Sequence, residues 1–390
     1  MAVPIIYNIR SIRVRWVATS VAVFGIAGVV TVFVAMLAMA QGFQATLVAS
    51  GLPQNAMIRR GGANSEIDSA LALDQIRIVA NAPGVQRDAH NNPLISPEVV
   101  LVISLPLRNA PDRALVQIRG VSEKALAIRD MVSIAQGRFF TPGLAELVVG
   151  ANAAKAYQDF QLGGRPRFAG RQWTVVGVLD ARGSAFDSEI WADAVILKQT
   201  YKKPENLFQS ATVRLNSAGS FELFRQALLK DPRLSVQVER EVDYYERQSQ
   251  AVATIIRVLG VLVAVVMSIG AVFAALNTMY SSIAARSREI ATIRALGFSE
   301  GSIILSFICE SFFISLIGGL IGCIAVIPIN GYSTSTINWQ TFSSIAFSFR
   351  VTPWLLVQGM LFALVMGIMG GLPPALRAAR LPVVVALREL

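Results

Sequence analysis

Charged residues are missing from four long stretches of this 390-residue chain: no Asp, Glu, Lys or Arg occurs in residues 17–58, 258–285, 311–349 or 351–376. Each stretch contains an apolar run of the roughly 20 residues that a helix needs to cross a bilayer. The pattern excludes an ordinary soluble domain. It predicts four membrane spans, at Val17–Ala40, Val258–Tyr280, Ile303–Ile327 and Val351–Leu372.

Cysteine and histidine are almost absent, with two and one residues respectively. Cys309 and Cys323 both fall in the third span, about 21 Å apart along a helix, which is too far for a disulfide within one subunit. The single His90, expected in a loop, leaves no metal site of the usual kind. We therefore expect neither a disulfide nor a metal on this chain.

A phosphate-binding loop is also missing, because the pattern G-x-x-x-x-G-K-[ST] occurs nowhere in the sequence. The chain cannot be its own P-loop ATPase. If ATP is used, we expect ATP and Mg to bind to a partner, with no cofactor on this chain.

Arginines concentrate on one side of the predicted spans, at Arg10, Arg13, Arg15, Arg286, Arg288, Arg294, Arg377, Arg380 and Arg388. By the positive-inside rule both termini and the loop 281–302 are cytoplasmic, and residues 41–250 lie outside. That outer part is nearly neutral, with 24 Lys/Arg against 21 Asp/Glu in residues 41–256. The net charge of +10 therefore reflects topology and attraction to anionic lipid, and we expect no nucleic-acid partner.

These patterns predict a membrane α-helical protein of four transmembrane helices in a 1+3 arrangement, with an inserted mixed α+β domain of two subdomains. The predicted segments are a cytoplasmic amphipathic helix (1–16), a first span (17–40) with a stalk to about 50, an outer domain (51–241) with a strand-rich insertion at about 105–205, a stalk and second span (242–280), a cytoplasmic loop (281–302), a third span (303–327), a short outer loop (328–350), a fourth span (351–372) and a cytoplasmic tail (373–390).

The segment Gly183–Trp191 places Ser184 beside Asp187 and Glu189, which suggests a catalytic centre at first sight. No G-x-S-x-G pattern surrounds the serine, and His90 is remote in sequence. A turn with satisfied polar side chains is the simpler interpretation, so we predict no catalytic residue here. Phe186 and Trp191, if exposed, are candidate contacts for an outer partner.

Two cytoplasmic segments have helical periodicity. Ile5, Ile9, Ile12 and Trp16 form an apolar stripe that predicts a helix on the membrane surface, either a simple lead-in or an element that moves with a partner. In the loop 281–302, apolar positions share one face and Gly297 fits a helix terminator. This loop is either a docking helix for a cytosolic partner or a tight turn that collects arginines.

The sequence resembles the permease domain of the MacB/FtsX/LolC-type ABC transporters. The resemblance rests on Arg288-Glu289-Ile290, Ile293–Gly297, Ser306-Phe307, Glu310 and the tail Pro374–Pro382 with Ala386–Arg388, and, in the outer domain, on Gly137–Phe140, Glu146–Gly150, Trp173–Val178 and Gly183–Trp191. It covers nearly the whole chain.

The resemblance implies a permease subunit of the bacterial inner membrane that binds a separate ATPase dimer and pairs with a second permease copy, most simply as a homodimer. It implies a coupling helix formed by Arg286, Arg288, Glu289, Ile290, Arg294 and Gly297. It also implies mechanotransmission, in which ATP-driven tilting of the spans moves the periplasmic domain. We expect export or trafficking of a hydrophobic or amphipathic cargo with a periplasmic adaptor.

Glu310 is an acidic residue inside a predicted span. A carboxylate there costs roughly 2.5–3.5 kcal/mol on insertion scales, so it should face protein or the interface. It could pair with an arginine of the loop, hydrogen-bond across a dimer, or stay hydrated near the membrane surface.

Two other functions fit the same sequence. One is an FtsX-like regulator that activates a periplasmic cell-wall hydrolase without transport. The other is a membrane sensor or scaffold with no ATPase, which the resemblance of the loop and of the tail disfavours.

Overall fold

The structure is a computed structural model that describes residues 16–380, with side chains from residue 19 onward. Within this range the chain divides into two units. The helical unit comprises residues 16–41, 254–332 and 349–380, and the sheet unit comprises residues 42–253 and 333–348. Ile5, Ile9, Ile12 and the end of the predicted tail lie outside the described residues, and Trp16 begins the first helix.

The described helices are α1 (Trp16–Val48), α2 (Leu73–Ala80), α3 (Ala125–Ile128), α4 (Ala151–Ala156), α5 (Ala194–Thr200), α6 (Phe221–Lys230), α7 (Glu241–Ala285), α8 (Ser287–Ala295), α9 (Glu300–Val326) and α10 (Pro353–Ala379). Four of them, α1, α7, α9 and α10, are long and apolar enough to cross a membrane. Helices α1 and α7 contain the spans predicted at 17–40 and 258–280 and extend beyond them. Helix α9 includes all but the last residue of the span predicted at 303–327, and α10 includes all but the first two residues of the span predicted at 351–372.

Small residues allow the helices of the helical unit to approach closely. A Cβ atom added to Gly322 of α9 would lie 2.7 Å from the carbonyl oxygen of Ala27 in α1. One added to Gly371 of α10 would lie 2.1 Å from the hydroxyl of Ser311 in α9. These glycines therefore pack helices of the same chain, where side chains of any size would force the helices apart.

The strands of the sheet unit are β1 (Asn55–Arg60), β2 (Leu71–Ala72), β3 (Ile95–Pro106), β4 (Arg113–Val121), β5 (Ser133–Gly137), β6 (Glu146–Gly150), β7 (Arg167–Phe168), β8 (Arg171–Gln172), β9 (Thr174–Asp180), β10 (Ile190–Asp193), β11 (Leu207–Phe208), β12 (Ser210–Arg214), β13 (Val236–Arg240), β14 (Ser333–Asn338) and β15 (Ser343–Ser348). Nine of them form one mixed sheet in the order β13-β1-β12-β3-β4-β10-β6-β9-β5.

The long strand β3 joins two halves of this sheet. Its first residues, Ile95–Glu98, pair antiparallel with β12, and Val99–Pro106 pair antiparallel with β4. Each half has its own hydrophobic core. One is built from β1, β12 and β13 with α2 and α6, and the other from β4, β6, β9 and β10 with α4 and α5. The fold thus has two subdomains, the second of which is inserted into the first.

The segment between α9 and α10 is not the short loop predicted for residues 328–350. It forms an antiparallel hairpin of β14 and β15 that belongs to the sheet unit. The backbone N–H of Ala346 donates to the hydroxyl of Ser188 at 3.0 Å, and the Phe347 ring packs edge-on against Phe43 at 5.6 Å. The loop was predicted only from its place between two spans. In β15 the residues Ser343, Ile345 and Phe347 are buried and alternate with more exposed residues, as in a strand with one covered face.

Candidate functional site

Helix α8 is a short helix between α7 and α9, bounded by specific backbone geometry. Arg286 breaks the helical path after Ala285 and forms the N-cap of α8. At the other end Gly297 adopts φ +92°, a left-handed conformation that favours glycine. The N–H groups of Gly297 and Phe298 donate to the carbonyls of Arg294 and Ile293, which is the Schellman pattern of a helix terminus. The predicted terminator role of Gly297 agrees with this geometry.

One face of α8 is buried within the helical unit. Ile290 and Ala291 are 5% and 2% exposed. The apolar residues that form one core cluster with Ile290 come from the end of α7, the start of α9 and the end of α10: Met279, Ile283, Ile303, Phe307, Ala375 and Ala378. The core that includes Ile290 of α8 therefore contains residues of all three helices.

A buried ion pair fixes the start of α8. The guanidinium of Arg286 lies 3.3 Å from the carboxylate of Glu310 in α9, with side chains that are 11% and 6% exposed. Of the environments considered for Glu310, the structure shows pairing with an arginine of the loop. Removing one partner of such a pair leaves a buried charge behind, which is costly.

The opposite face of α8 is exposed. Arg288 and Glu289 are exposed, although Glu289 also pairs with Arg286 at 3.5 Å, and Leu296, just past the helix, is 74% exposed. The six residues predicted to dock an ATPase therefore divide. Arg288, Glu289 and Gly297 are accessible, Arg294 is partly covered and pairs with Glu300 at 3.0 Å, and Arg286 and Ile290 hold the helix in place. The exposed Leu296 was not among the predicted docking residues.

The sheet unit contains a charge network that sequence reasoning missed. Arg119 of β4 is fully buried and binds three carboxylates. Its Nη1 lies 2.7 Å from both Glu66 and Glu98, and its Nε lies 2.9 Å from Glu189. Gln117 donates to Glu189 at 2.6 Å. A buried guanidinium with its donors satisfied in this way is a stable centre for the surrounding strands.

Arg129 continues the network toward the start of α7. Its Nη1 lies 2.6 Å from Glu98, and its Nε lies 2.9 Å from Glu241, the first residue of α7. Burial opposes the ionisation of Glu98, but the charges of Arg129 and Arg119 outweigh it and hold the pKa of Glu98 below its ordinary value. We call the six residues Glu66, Glu98, Arg119, Arg129, Glu189 and Glu241 the charge network.

The sequence suggested that Phe186 and Trp191, if exposed, could contact an outer partner. The structure shows that they are buried. Both are 0% exposed. The Phe186 ring lies beneath the guanidinium of Arg129 at 5.0 Å, and the Trp191 indole N–H donates to Glu189 at 2.9 Å. The surrounding apolar strands bury these rings, so the segment Gly183–Trp191 lines the charge network.

A turn forms at Ser184 with Asp187 as its organiser, but the prediction of satisfied polar side chains is wrong for Ser184, whose buried hydroxyl has no hydrogen-bond partner among the described residues. The carboxylate of Asp187 accepts hydrogen bonds from the N–H groups of Ala181 and Gly183, both at 2.8 Å. Burial raises the pKa of Asp187. Among residues 16–380, no three His, Cys, Asp or Glu side chains are grouped so as to hold a metal ion.

Two protein families match the chain over most of its length. Residues 19–231 match the MacB-like periplasmic core domain, and residues 261–383 match the FtsX-like permease C-terminal domain. Together with four long apolar helices, these matches define a multi-pass membrane permease with an inserted domain. The chain belongs to the family of ABC transporter permeases that combine a MacB-like periplasmic core domain with an FtsX-like permease domain.

The curated relatives of this chain include MacB proteins and the permease YknZ. The chain is 27% identical to the macrolide export ATP-binding/permease protein MacB of Nitrosomonas europaea, over 65% of this chain and 40% of that protein. It is 25% identical to MacB of Hyphomonas neptunium, over 97% of this chain and 59% of that protein. It is 33% identical to the uncharacterized ABC transporter permease YknZ of Bacillus subtilis, over 34% of this chain and 31% of that protein. The chain thus spans well under two thirds of each relative.

Two solved structures are similar to part of the chain. The extracellular domain of YknZ aligns with 48% of this chain at 16% identity and a TM-score of 0.36. The periplasmic region of MacB from Actinobacillus actinomycetemcomitans aligns with 51% of this chain at 15% identity and a TM-score of 0.38.

Proposed function

We propose that this permease converts ATP hydrolysis on a separate ATPase subunit into movement of the sheet unit, and that it serves export or envelope trafficking of a hydrophobic or amphipathic cargo. The observation that carries the proposal is the unbroken helix α7. It has 45 residues, which corresponds to about 68 Å, whereas a membrane hydrocarbon core is about 30 Å thick. One continuous helix therefore contributes residues to both the helical unit and the sheet unit.

The first turns of α7 are anchored firmly inside the sheet unit. The carboxylate of Glu241 is fully buried and accepts hydrogen bonds from Arg129 and from the side chain of Asn55 at 2.8 Å. Tyr244 and Tyr245 are 1% and 3% exposed, although the sequence suggested a stalk standing in water. Rotation or tilt of α7 must therefore displace the charge network or move the sheet unit with it.

The last turns of α7 lead directly to the surface that would meet an ATPase. Helix α7 ends at Ala285, and Arg286 links it to both α8 and Glu310. The exposed residues Arg288, Glu289 and Leu296 would fit a groove on the ATPase. A force applied to α8 would then act on the C-terminal end of α7.

The remaining parts of the proposal follow the charge distribution and the family. Both termini and α8 face the cytoplasm of the inner membrane, and the sheet unit is periplasmic. Two copies of the chain associate as a homodimer with an ATPase dimer that holds ATP and Mg. A periplasmic adaptor receives the movement, and anionic lipid contacts the basic cytoplasmic segments.

Breaking α7 where it is exposed tests this proposal. Gln250 lies on the exposed face of α7 within the sheet unit, so Gln250→Pro interrupts the helix while Gln250→Ala keeps it. The chain would be reconstituted with its ATPase in nanodiscs, and hydrogen exchange of residues 125–130 compared with and without ATP and vanadate. We expect an ATP-dependent change in the wild type and Q250A, and none in Q250P, with ATPase binding kept. An unchanged response in Q250P would contradict the proposal.

A further inference from the structure

The sheet unit contains a cavity of about 200 Å³ beside the short ladder formed by β2 and β11. Its walls are mainly apolar, with Ile67, Val99, Leu207 and Phe208 contributing side chains. Two lysines, Lys198 and Lys203, also line it, and neither belongs to the charge network or to α8.

Lys198 is unusual because a lysine side chain, which carries a charge, is seldom buried in a mainly apolar wall. It lies on α5, is 2% exposed, and sits with its Nζ 3.5 Å from the centre of the Phe208 ring. Its ammonium group donates to the backbone carbonyl of Glu205. An ammonium has three N–H donors, and among the described residues no second acceptor lies within hydrogen-bond distance.

The burial of this ammonium is incompletely compensated by the chain. Burial lowers the pKa of Lys198, while the charges of Glu205 and Asp193 partly oppose that effect. No carboxylate forms an ion pair with Lys198 within the described residues, and a ring face replaces only part of the lost hydration. An anion that entered the cavity and reached this ammonium would supply acceptors that the chain itself does not supply.

Lys203 lies at the exposed rim of the same cavity. It follows the turn at Lys202. Its backbone N–H donates to the carbonyl of Lys198 at 2.9 Å, so the backbones of the two lysines lie close together in space. The cavity therefore combines a buried cation, a second cation at the entrance and an apolar wall. Free inorganic anions would use the cations but leave the apolar wall without a role.

We propose that this cavity binds the head group and first carbons of an anionic amphiphile, with a carboxylate or phosphate held by Lys198 and Lys203 and the alkyl chain lying on Ile67, Leu207 and Phe208. The cavity is smaller than the roughly 300 Å³ at which sites for drug-sized ligands begin, so one chain rather than a bulky molecule fits. This inference does not depend on ATPase coupling and stands or falls separately from the proposed function.

The test is photo-crosslinking of the full-length chain in nanodiscs with a ten-carbon fatty acid that carries a diazirine. Labelled peptides would be mapped by mass spectrometry. We expect labelling of residues 198–209 in the wild type, at least tenfold weaker labelling in Lys198→Met, and wild-type labelling in Lys202→Met, which removes the same charge from an exposed neighbour. Equal labelling of K198M and the wild type would overturn the proposal.

Two further measurements on the wild type keep the test decisive if K198M fails to fold. A neutral diazirine alcohol of the same length should label residues 198–209 at least tenfold less than the acid does. Unlabelled decanoate or decyl phosphate should compete with the acid probe, and the stronger competitor identifies the head group as carboxylate or phosphate. Equal labelling by the alcohol, or competition by neither anion, would show that the cavity does not recognise an anionic amphiphile.

Discussion

The buried carboxylate of Glu241, the first residue of α7, lies 2.9 Å from Nε of Arg129. Both side chains are inaccessible to solvent. Arg129 also binds Glu98, so the start of the longest helix is tied to the strand that joins the two halves of the sheet. Within the sheet unit, buried ion pairs therefore hold the first turn of α7 to the centre of the sheet.

Loss of Arg129 should destabilise the sheet unit strongly. Arg129→Met leaves the carboxylates of Glu98 and Glu241 buried without their guanidinium, which typically costs about 3–5 kcal/mol. We expect a clear fall in the thermal unfolding midpoint of the purified chain, followed by tryptophan fluorescence. Arg225→Met is the control, because Arg225 pairs with Glu222 at an exposed site and should change little. Equal midpoints for R129M and R225M would argue against a stabilising network.

Glu98 should make the stability of the sheet unit sensitive to acid. Its folded pKa lies below the ordinary value of 4.5, so the stability it contributes is fully present above pH 4.5 and is lost as the pH falls through the folded pKa. Glu98→Gln removes this titration. We expect its free energy of unfolding to be lower at neutral pH but to fall less steeply below pH 4.5 than that of the wild type.

The denaturation curves for this comparison would be recorded at several pH values, with Glu222→Gln as a control at an exposed position. The control should keep the steep wild-type dependence. If E98Q and the wild type show the same slope below pH 4.5, Glu98 is not the titrating group.

The ion pair of Arg286 with Glu310 predicts different effects for neighbouring arginines of the loop. Arg286→Met leaves Glu310 buried without this partner and should lower the thermal stability of the helical unit. Arg288→Met removes the same charge from a solvent-exposed position and should lower stability less than Arg286→Met does. Size-exclusion chromatography after heating in detergent would measure the remaining folded chain. A larger loss in R288M than in R286M contradicts the observed geometry.

Close helix packing predicts a sharp contrast between two glycines. At Gly371 an added Cβ would lie 2.1 Å from the hydroxyl of Ser311, whereas at Gly270 no atom of the described chain outside the surrounding turns of its own helix backbone lies within 4 Å. Gly371→Val should therefore force α9 and α10 apart and cost on the order of 1–3 kcal/mol. Gly270→Val should be tolerated within the subunit. The same heating assay compares them, and similar losses would show that the α9–α10 contact is looser than described.

The sequence predicted the apolar helices well because a helix that crosses a bilayer needs a long run of residues without charge. Such a run is visible in the sequence without any knowledge of the tertiary structure. The hairpin of β14 and β15 was missed, since serine and threonine are common in both loops and strands. Only packing of Phe347 against Phe43 distinguishes the two.

The charge network could not be predicted because its members are scattered between Glu66 and Glu241 in the sequence. The available signal was weak: Glu98 and Arg119 interrupt apolar strands, which in a single sequence is equally typical of a strand with one solvated face. Phe186 and Trp191 were considered as partner contacts only if exposed, and the sequence alone did not show that the surrounding strands bury both rings. The ion pair of Glu310 was easier to anticipate, because a carboxylate in a span demands a partner and the loop arginines are near in sequence.

The central claim, that α8 docks a separate ATPase, is tested most directly by co-purification. The chain would be extracted gently from native membranes, and bound proteins identified by mass spectrometry. The variant Arg288→Glu/Glu289→Arg reverses two exposed charges of α8, and Glu222→Arg/Arg225→Glu reverses an exposed pair on α6 as a matched control.

We expect a P-loop ATPase to be recovered with the wild type and the α6 control, and its yield to fall at least tenfold with the α8 variant. Recovery of no ATPase with the wild type, or equal recovery with both variants, would contradict the account and favour a sensor or scaffold.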